Sequence, residues 1–229
     1  MIRIAHLINE YQAAARLSLR YLRIRLFRRL MLPFSRRARA KRMRTYARLM
    51  RVRDGMSVLD LGGQPAIWQG VGERLDITIL NLPGAAERNG DQRIRYVEGD
   101  ACRVGEFGAA AFDAVFSNSV IEHVGGAERR AEFAREVRRL GRSYWVQTPA
   151  KWFPIEAHCG MPFWWFYPAR LRRYFIVRWR RKLPSWTEMV EGTNLIERAE
   201  LQALFPEATV QVERFCGIPK SYIAYYPGS

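Results

Sequence analysis

The sequence has few cysteines and no long apolar run. Its cysteines, Cys102, Cys159 and Cys216, are far apart, odd in number and match no metal-ligand spacing, which excludes a disulfide framework and a zinc site. No stretch of 18 apolar residues is present, so the sequence predicts no membrane-spanning helix. These absences favour a reducing, cytoplasmic compartment.

Acidic residues are nearly missing from the first 53 residues, where 16 Arg or Lys accompany a single acid, Glu10. This block carries a net charge of +15 out of a total of +16, so residues 54–229 are close to neutral. We expect a basic helical extension over residues 1–53, built from helices near 2–31 and 36–50. Such a block attracts polyanions, either an anionic membrane surface at the inner membrane face or, as the alternative, nucleic acid.

From Asp54-Gly55 onward, short apolar segments alternate with helical ones. This rhythm predicts an α/β fold, a seven-stranded, mainly parallel sheet with helices on both faces, in one domain over residues 54–229. The strands are expected at 57–61, 76–81, 94–97, 112–117, 143–147, 209–215 and 221–226, and the last two form a hairpin through Gly217. A helix is predicted over residues 127–140, closed by Gly141, and another near residues 198–204.

Residues 151–192 interrupt the rhythm. Five consecutive aromatics occupy 163–167, seven Arg or Lys follow within 170–182, and no acid occurs between Glu156 and Glu188. Because this stretch follows the fifth strand, where an open α/β sheet forms its ligand crevice, we predict an acceptor-side insertion. Its aromatics could settle at a membrane interface. The alternative is that they form core or a lid over the acceptor pocket.

A glycine turn follows the first strand, in the segment Asp60-Leu61-Gly62-Gly63-Gln64. Such a turn lets the backbone approach a ligand closely. The segment resembles motif I of the class I methyltransferases, an acid followed by Gly-x-Gly, although Gln64 replaces the second of those glycines. The longer Gly-x-Gly-x-x-Gly of dinucleotide oxidoreductases is absent.

Further segments resemble the same family after each successive strand. Asn81 stands where the family usually has an acid for the ribose hydroxyls, and Gly99-Asp100-Ala101 resembles the segment that contacts adenine, although Asp100 could also cap a helix. Residues 117–124 closely resemble the segment after the fourth strand in the type 11 branch. Gln147-Thr148-Pro149 after the fifth strand also fits.

The resemblance implies S-adenosylmethionine as the methyl donor. It further implies cofactor contacts at residues at the ends of the first four strands, namely Asp60, Gly62, Gly63, Asn81, Asp100, Ala101 and Ser117. The family favours O-methylation of a small-molecule or lipid-linked acceptor, such as a glycan or quinone-like molecule. An RNA methyltransferase and a non-catalytic interaction protein on a degenerate scaffold remain alternatives.

A hydroxyl acceptor would benefit from a general base. His158, just past the fifth strand, is the preferred candidate, and His123, Glu122 and Glu156 are further candidates. Each could instead orient a loop. Some relatives bind a divalent metal in the segment after the fourth strand, but Ser119 replaces the first of their acids, so no metal is predicted.

Overall fold

The computed structural model describes residues 37–85, 90–156 and 159–228. Within them a seven-stranded sheet has the order β3-β2-β1-β4-β5-β7-β6, and β7 runs antiparallel to both of its neighbours. The strands are β1 (Ser57–Leu61), β2 (Asp76–Asn81), β3 (Ile94–Glu98), β4 (Phe112–Asn118), β5 (Gly141–Pro149), β6 (Thr209–Phe215) and β7 (Ile218–Tyr226). The expected mainly parallel sheet is confirmed.

The helices lie on both sides of the sheet. They are α1 (37–49), α2 (Ala127–Leu140), α3 (Ala169–Arg180), α4 (Pro184–Gly192) and α5 (Arg198–Leu204). Short 3-10 helices cover Pro65–Gly70, Ile121–His123 and Trp164–Phe166. The predicted helix near residues 2–31 lies outside the described residues.

One face of the sheet is covered by α1. Met43, Tyr46 and Met50 pack on strand residues that include Val58 and Trp145, in one buried cluster. The spacing of three and four residues places these three side chains on one side of the helix, while Arg44 and Arg48 remain exposed. The helix therefore contributes to the same core as the sheet.

A buried arginine fixes α1 over the carboxyl ends of the central strands. The Arg42 guanidinium donates to Asn118 Oδ1 at 2.5 Å, to Gln147 Oε1 at 3.2 Å and to Glu213 Oε2 at 2.6 Å. Ser221 Oγ donates to the same Glu213 oxygen. The division of the chain at residue 53 stays a prediction, but α1 is tied to β4, β5 and β6.

The opposite face packs on α2 and α5. Phe133, Val137 and Leu140 of α2 join Leu201 and Phe205 of the α5 region in the largest buried cluster. Alternate strand residues face the two clusters, as the two-residue period of a strand requires. Apolar residues on both faces explain why the central strands read as nearly continuous apolar runs.

Residues 151–192 form a third, smaller cluster. Trp164, Ile176, Trp186 and Met189 are buried together, and Trp179 of α3 meets Trp186 of α4 edge to face at 5.1 Å between ring centroids. Part of the aromatic run is thus core, as the alternative interpretation held. In the described part of the chain, no helix combines the length and apolar character that crossing a bilayer requires.

Helix α2 ends at Leu140 and Gly141 caps it, as expected, because the Gly141 amide donates to the Val137 carbonyl oxygen. The Gly141 backbone is extended, with φ of −107°, and it begins β5. Glycine is needed there for space, because an added Cβ would lie 2.5 Å from the Ser143 carbonyl oxygen. The predicted hairpin is confirmed, with its turn at Cys216-Gly217, both at positive φ.

Candidate cofactor-binding and active site

A cavity of about 770 Å³ opens at the carboxyl ends of β1 to β4. The strand order reverses between β1 and β4, the position at which open α/β sheets bind ligands. Its volume lies within the range of small-molecule sites. Of the sequence-predicted residues, Gly62, Gly63, Asn81, Ala101 and His123 line this cavity.

The glycine turn after β1 needs both of its glycines. Gly62 has φ of +73°, and an added Cβ would lie 2.6 Å from Cγ2 of Val120. A Cβ on Gly63 would overlap the Asp60 carboxylate at 1.8 Å. The turn is thus closed against the segment after β4 on one side and against Asp60 on the other, and its backbone forms a wall of the cavity.

Asp60 is fully buried and does not line the cavity. Trp68 Nε1 donates to its Oδ2 at 2.7 Å, while Oδ1 accepts no hydrogen bond from the described residues. Burial raises the pKa of Asp60 to about 7, although the Trp68 hydrogen bond acts in the opposite direction. The position supports the glycine turn from behind. A direct cofactor contact for Asp60 stays a prediction.

Asn81, at the end of β2, links the second strand to the glycine turn. Its Nδ2 donates to the carbonyl oxygen of Gly63 at 3.0 Å. An acid at this position could not make that bond, because a carboxylate only accepts. The amide therefore holds the turn while its oxygen stays available at the cavity wall.

The loop after β3 places Gly99 and Ala101 in the cavity wall, but the Asp100 side chain turns away to partners of its own. Asp100 Oδ1 accepts from the Cys102 amide at 3.0 Å, and Oδ2 accepts from Arg129 Nη2 at 2.6 Å. Partial burial favours the neutral carboxyl, but these bonds outweigh it and lower the pKa of Asp100. The loop forms a turn and no helix starts there, so the helix-cap interpretation is wrong.

The end of β4 and the segment after it carry three further predicted residues. Ser117 is buried, and its Oγ donates to the Leu61 carbonyl oxygen at 3.3 Å, which joins β4 to β1 behind the cavity. Glu122 is also fully buried, and Thr148 Oγ1 donates to its Oε2 at 3.2 Å. Only His123 reaches the cavity, with Nδ1 3.5 Å from Thr193 Oγ1. His123 is thus the predicted base that the structure places beside the ligand space.

The remaining base candidates lie after β5. Glu156 is buried, and its Oε2 accepts from the Cys159 amide at 2.5 Å, so it shapes the loop. His158 lies outside the described residues. Within residues 37–85, 90–156 and 159–228, no group of three or more His, Cys, Asp or Glu side chains could hold a metal ion.

Sequence reasoning missed one wall of the cavity. Glu188, Met189 and Glu191 of α4 line it opposite the strand ends, and the Asn194 amide ties the end of α4 to the Glu122 carbonyl oxygen at 2.7 Å. No motif marks these residues. Arg129 was also missed, although a cation one turn into α2 is the natural partner for Asp100.

Comparisons with known proteins agree with this geometry. Residues 74–143 match the family model described as a methyltransferase domain, type 11. This segment of the chain is therefore similar to the type 11 methyltransferase domain. The matched residues begin after the glycine turn and run from β2 to the start of β5. No curated protein sequence matches the chain.

Solved methyltransferases share the fold at low sequence identity. A phosphoethanolamine N-methyltransferase of Haemonchus contortus in complex with S-adenosyl-L-methionine is 13% identical, with a TM-score of 0.52, over 78% of this chain and 50% of its own. A protein of Methanococcus maripaludis, assigned as an S-adenosyl-L-methionine-dependent methyltransferase, is 14% identical, with a TM-score of 0.50, over 87% and 90%. The chain spans between 35% and 64% of the length of the first three similar structures.

These likenesses show the fold. In this chain, the glycine turn, the cavity at the strand reversal and the amide at the end of β2 together form a site of small-molecule size.

Proposed function

We propose that this methyltransferase binds S-adenosylmethionine in the 770 Å³ cavity and methylates a hydroxyl group of a small-molecule or lipid-linked acceptor. The observation that carries the donor half is the glycine turn at the β1–β4 reversal, which has no room for side chains at Gly62 or Gly63. A wall of bare backbone beside a cavity is what close approach to a ligand requires.

Asn81 and Ala101 mark the two ends of the nucleoside part of the ligand. The Asn81 amide oxygen is the acceptor available for ribose hydroxyls at the end of β2, and the Gly99–Ala101 loop is the neighbouring wall. When bound, S-adenosylmethionine supplies an activated methyl group, so the protein mainly has to align donor and acceptor.

The acceptor half rests on His123. Its imidazole lines the cavity beside α4, with Nδ1 3.5 Å from Thr193 Oγ1, and an imidazole at this position can take a proton from an acceptor hydroxyl. Buried Glu122 sits next to it in the same 3-10 helix and holds that segment through Thr148. We assign His123 as the base and Glu122 as its positioning residue.

A matched pair of glycine variants tests the donor site. Gly62 and Gly55 both have positive φ, but an added Cβ clashes with Val120 only at Gly62 and meets nothing within 4 Å at Gly55. Titration calorimetry with S-adenosylhomocysteine should show binding that Gly62→Ala weakens at least about tenfold and Gly55→Ala leaves intact. An equal loss of affinity in both variants, or no loss in Gly62→Ala, would refute the role of the glycine turn in ligand binding.

Methyl transfer itself can be followed with tritiated S-adenosylmethionine. Membrane lipid extract, an aqueous small-molecule fraction and total RNA serve as separate acceptors, and His123→Gln serves as the matched loss of the base. We expect label in the organic or small-molecule fraction and about 10² to 10⁴ times less with the variant. Label in RNA would support the RNA alternative. A folded protein that binds no donor would favour the non-catalytic alternative, for which the Asp100–Arg129 ion pair is the structural argument.

A further inference from the structure

The exposed apolar surface of this protein is concentrated in one part of the chain. In the described residues, every strongly exposed large hydrophobic side chain belongs to residues 152–177 or to the turn between β6 and β7. Single exposed hydrophobics are common on protein surfaces, but a cluster confined to one region marks an interaction site.

One half of this surface, here called the aromatic platform, consists of Trp152, Phe163, Phe166, Phe215 and Ile218. Trp152 is 59% exposed and Phe163 is 57% exposed. The ring centroids of Trp152 and Phe166 lie 5.2 Å apart. Those of Phe215 and Phe153, the residue next to Trp152, lie 6.2 Å apart. The loop after β5 and the β6–β7 turn therefore present their aromatic side chains together.

The other half is the outer stripe of α3. Leu171, Tyr174 and Val177 recur every three residues and are 41%, 56% and 47% exposed, while Ile176 on the inner side is buried. A helix with buried residues on one side and an apolar stripe on the other still lacks a partner for that stripe. Phe166 of the aromatic platform lies three residues before α3 in the chain.

The charges around the stripe have one sign. Arg170, Arg173, Arg178 and Lys182 are exposed, and the described part of the chain gives none of them an ion pair. Arg180 is the exception, since it pairs with Glu191. Because no acid occurs between Glu156 and Glu188, the surface as a whole is apolar with a cationic border.

We propose that the aromatic platform and the outer stripe of α3 form a docking surface for an anionic lipid bilayer. Trp, Tyr and Phe settle at the headgroup boundary and Arg and Lys bind lipid phosphates. The aliphatic Leu171, Val177 and Ile218 favour acyl chains over RNA, because they offer no ring for base stacking. The helix lies on the membrane and does not cross it.

Docking would bring the cavity to the membrane surface. Helix α4, which lines the cavity through Met189, packs on α3 through the Trp179–Trp186 contact. A lipid-linked acceptor could then reach His123 without leaving the bilayer. This deepens the proposed function and rests on it only for the identity of the acceptor.

Trp152 provides a local test on the full chain. Vesicles of phosphatidylglycerol and phosphatidylcholine with brominated acyl chains quench tryptophans that enter the bilayer. Of the seven tryptophans, Trp152 is the strongly exposed one, so quenching should occur and should largely disappear in Trp152→Phe while vesicle sedimentation persists. Quenching that is unchanged in Trp152→Phe, or sedimentation with no quenching of the wild type, would overturn the proposal.

A charge-matched pair separates this surface from general electrostatic attraction. The first variant combines Leu171→Asp with Val177→Asp, and the second is Arg135→Glu on the exposed side of α2. Each lowers the net charge by the same amount. We expect the double variant to lower vesicle partitioning by about tenfold more than Arg135→Glu, with unchanged affinity for S-adenosylhomocysteine. Equal effects of the two variants, or a larger loss of RNA binding than of vesicle binding, would contradict a bilayer partner. A wild type that docks but binds no S-adenosylhomocysteine would refute the proposed function alone.

Discussion

Replacement of Arg42 by Met should destabilise the whole domain, because Arg42 is a buried charge with several acceptors. Its side chain is 8% exposed and that of Glu213 is 17% exposed. Met fills a similar volume but leaves the Glu213 carboxylate without this cation and Asn118 Oδ1 without this donor. Gln147 Oε1 keeps the Ser119 hydroxyl as a donor. Loss of one partner of a buried pair costs about 3 to 5 kcal/mol, and we expect a loss of this size in the free energy of unfolding.

Chemical denaturation provides the measurement, and thermal melting should fall by roughly 6 to 20 °C. The matched control is Glu213→Gln in the Arg42→Met background, which removes the stranded charge and should recover a substantial part of the loss. A loss below about 1 kcal/mol, the level of exposed ion pairs, would refute the view that α1 is anchored through Arg42.

The pH dependence of this difference has a definite sign. Burial favours the neutral form of Glu213, but Arg42 and Ser221 outweigh it and lower the pKa of Glu213. A lowered carboxyl pKa adds stability above the unfolded value of about 4.3 and loses it as the pH falls toward the folded value. The difference in the free energy of unfolding between wild type and Arg42→Met should therefore be largest at pH 6 to 7 and should decrease below about pH 4. A gap that widens in acid would contradict the assignment.

Three further changes follow from the site. Asn81→Ala removes the bond to Gly63 and the acceptor at the end of β2, so calorimetry should show S-adenosylhomocysteine affinity reduced about tenfold; unchanged affinity would contradict a role for Asn81. Asp60 has a raised pKa of about 7, so its contribution to the free energy of unfolding falls as the pH rises from about 4 to 7. Urea denaturation of Asp60→Asn should show no such fall. The same pH dependence in wild type and variant would contradict the raised pKa. Arg129→Ala should raise the pKa of Asp100 toward about 3.9, as carbon-detected NMR would record, and a static value would mean that Arg129 does not set it.

The sequence predicted the sheet well because strands and turns here are local. Alternating short apolar segments and turn residues such as Asp54-Gly55 mark the strands directly, and β1 and β2 begin and end as expected. The end of α2 at Gly141 was also located correctly, but a second role of this glycine was not predicted. Gly141 serves close packing against Val115 across strands, a contact between residues 26 positions apart that no local pattern displays.

The candidate site could be predicted from the sequence only where the backbone conformation itself restricts the residue type. Gly62 and Gly63 can be read from the sequence, because few other residues fit a turn of this kind. The roles of charged residues could not be read in the same way. Asp60 lies near the end of β1 and Asp100 follows β3, as cofactor-binding acids do, yet Trp68 and Arg129 donate hydrogen bonds to their carboxylates. Such pairings depend on three-dimensional neighbours, and so does the contribution of α4 to the cavity wall.

The central claim is that the cavity at the β1–β4 reversal holds S-adenosylmethionine. A crystal structure of the full chain with S-adenosylhomocysteine tests it most directly. The account predicts the ligand against the backbone of Gly62 and Gly63, its ribose hydroxyls within hydrogen-bond distance of Asn81 Oδ1, and its sulfur on the His123 side. A ligand bound elsewhere, or a cavity that stays free of ligand when calorimetry shows saturated binding, would contradict the account.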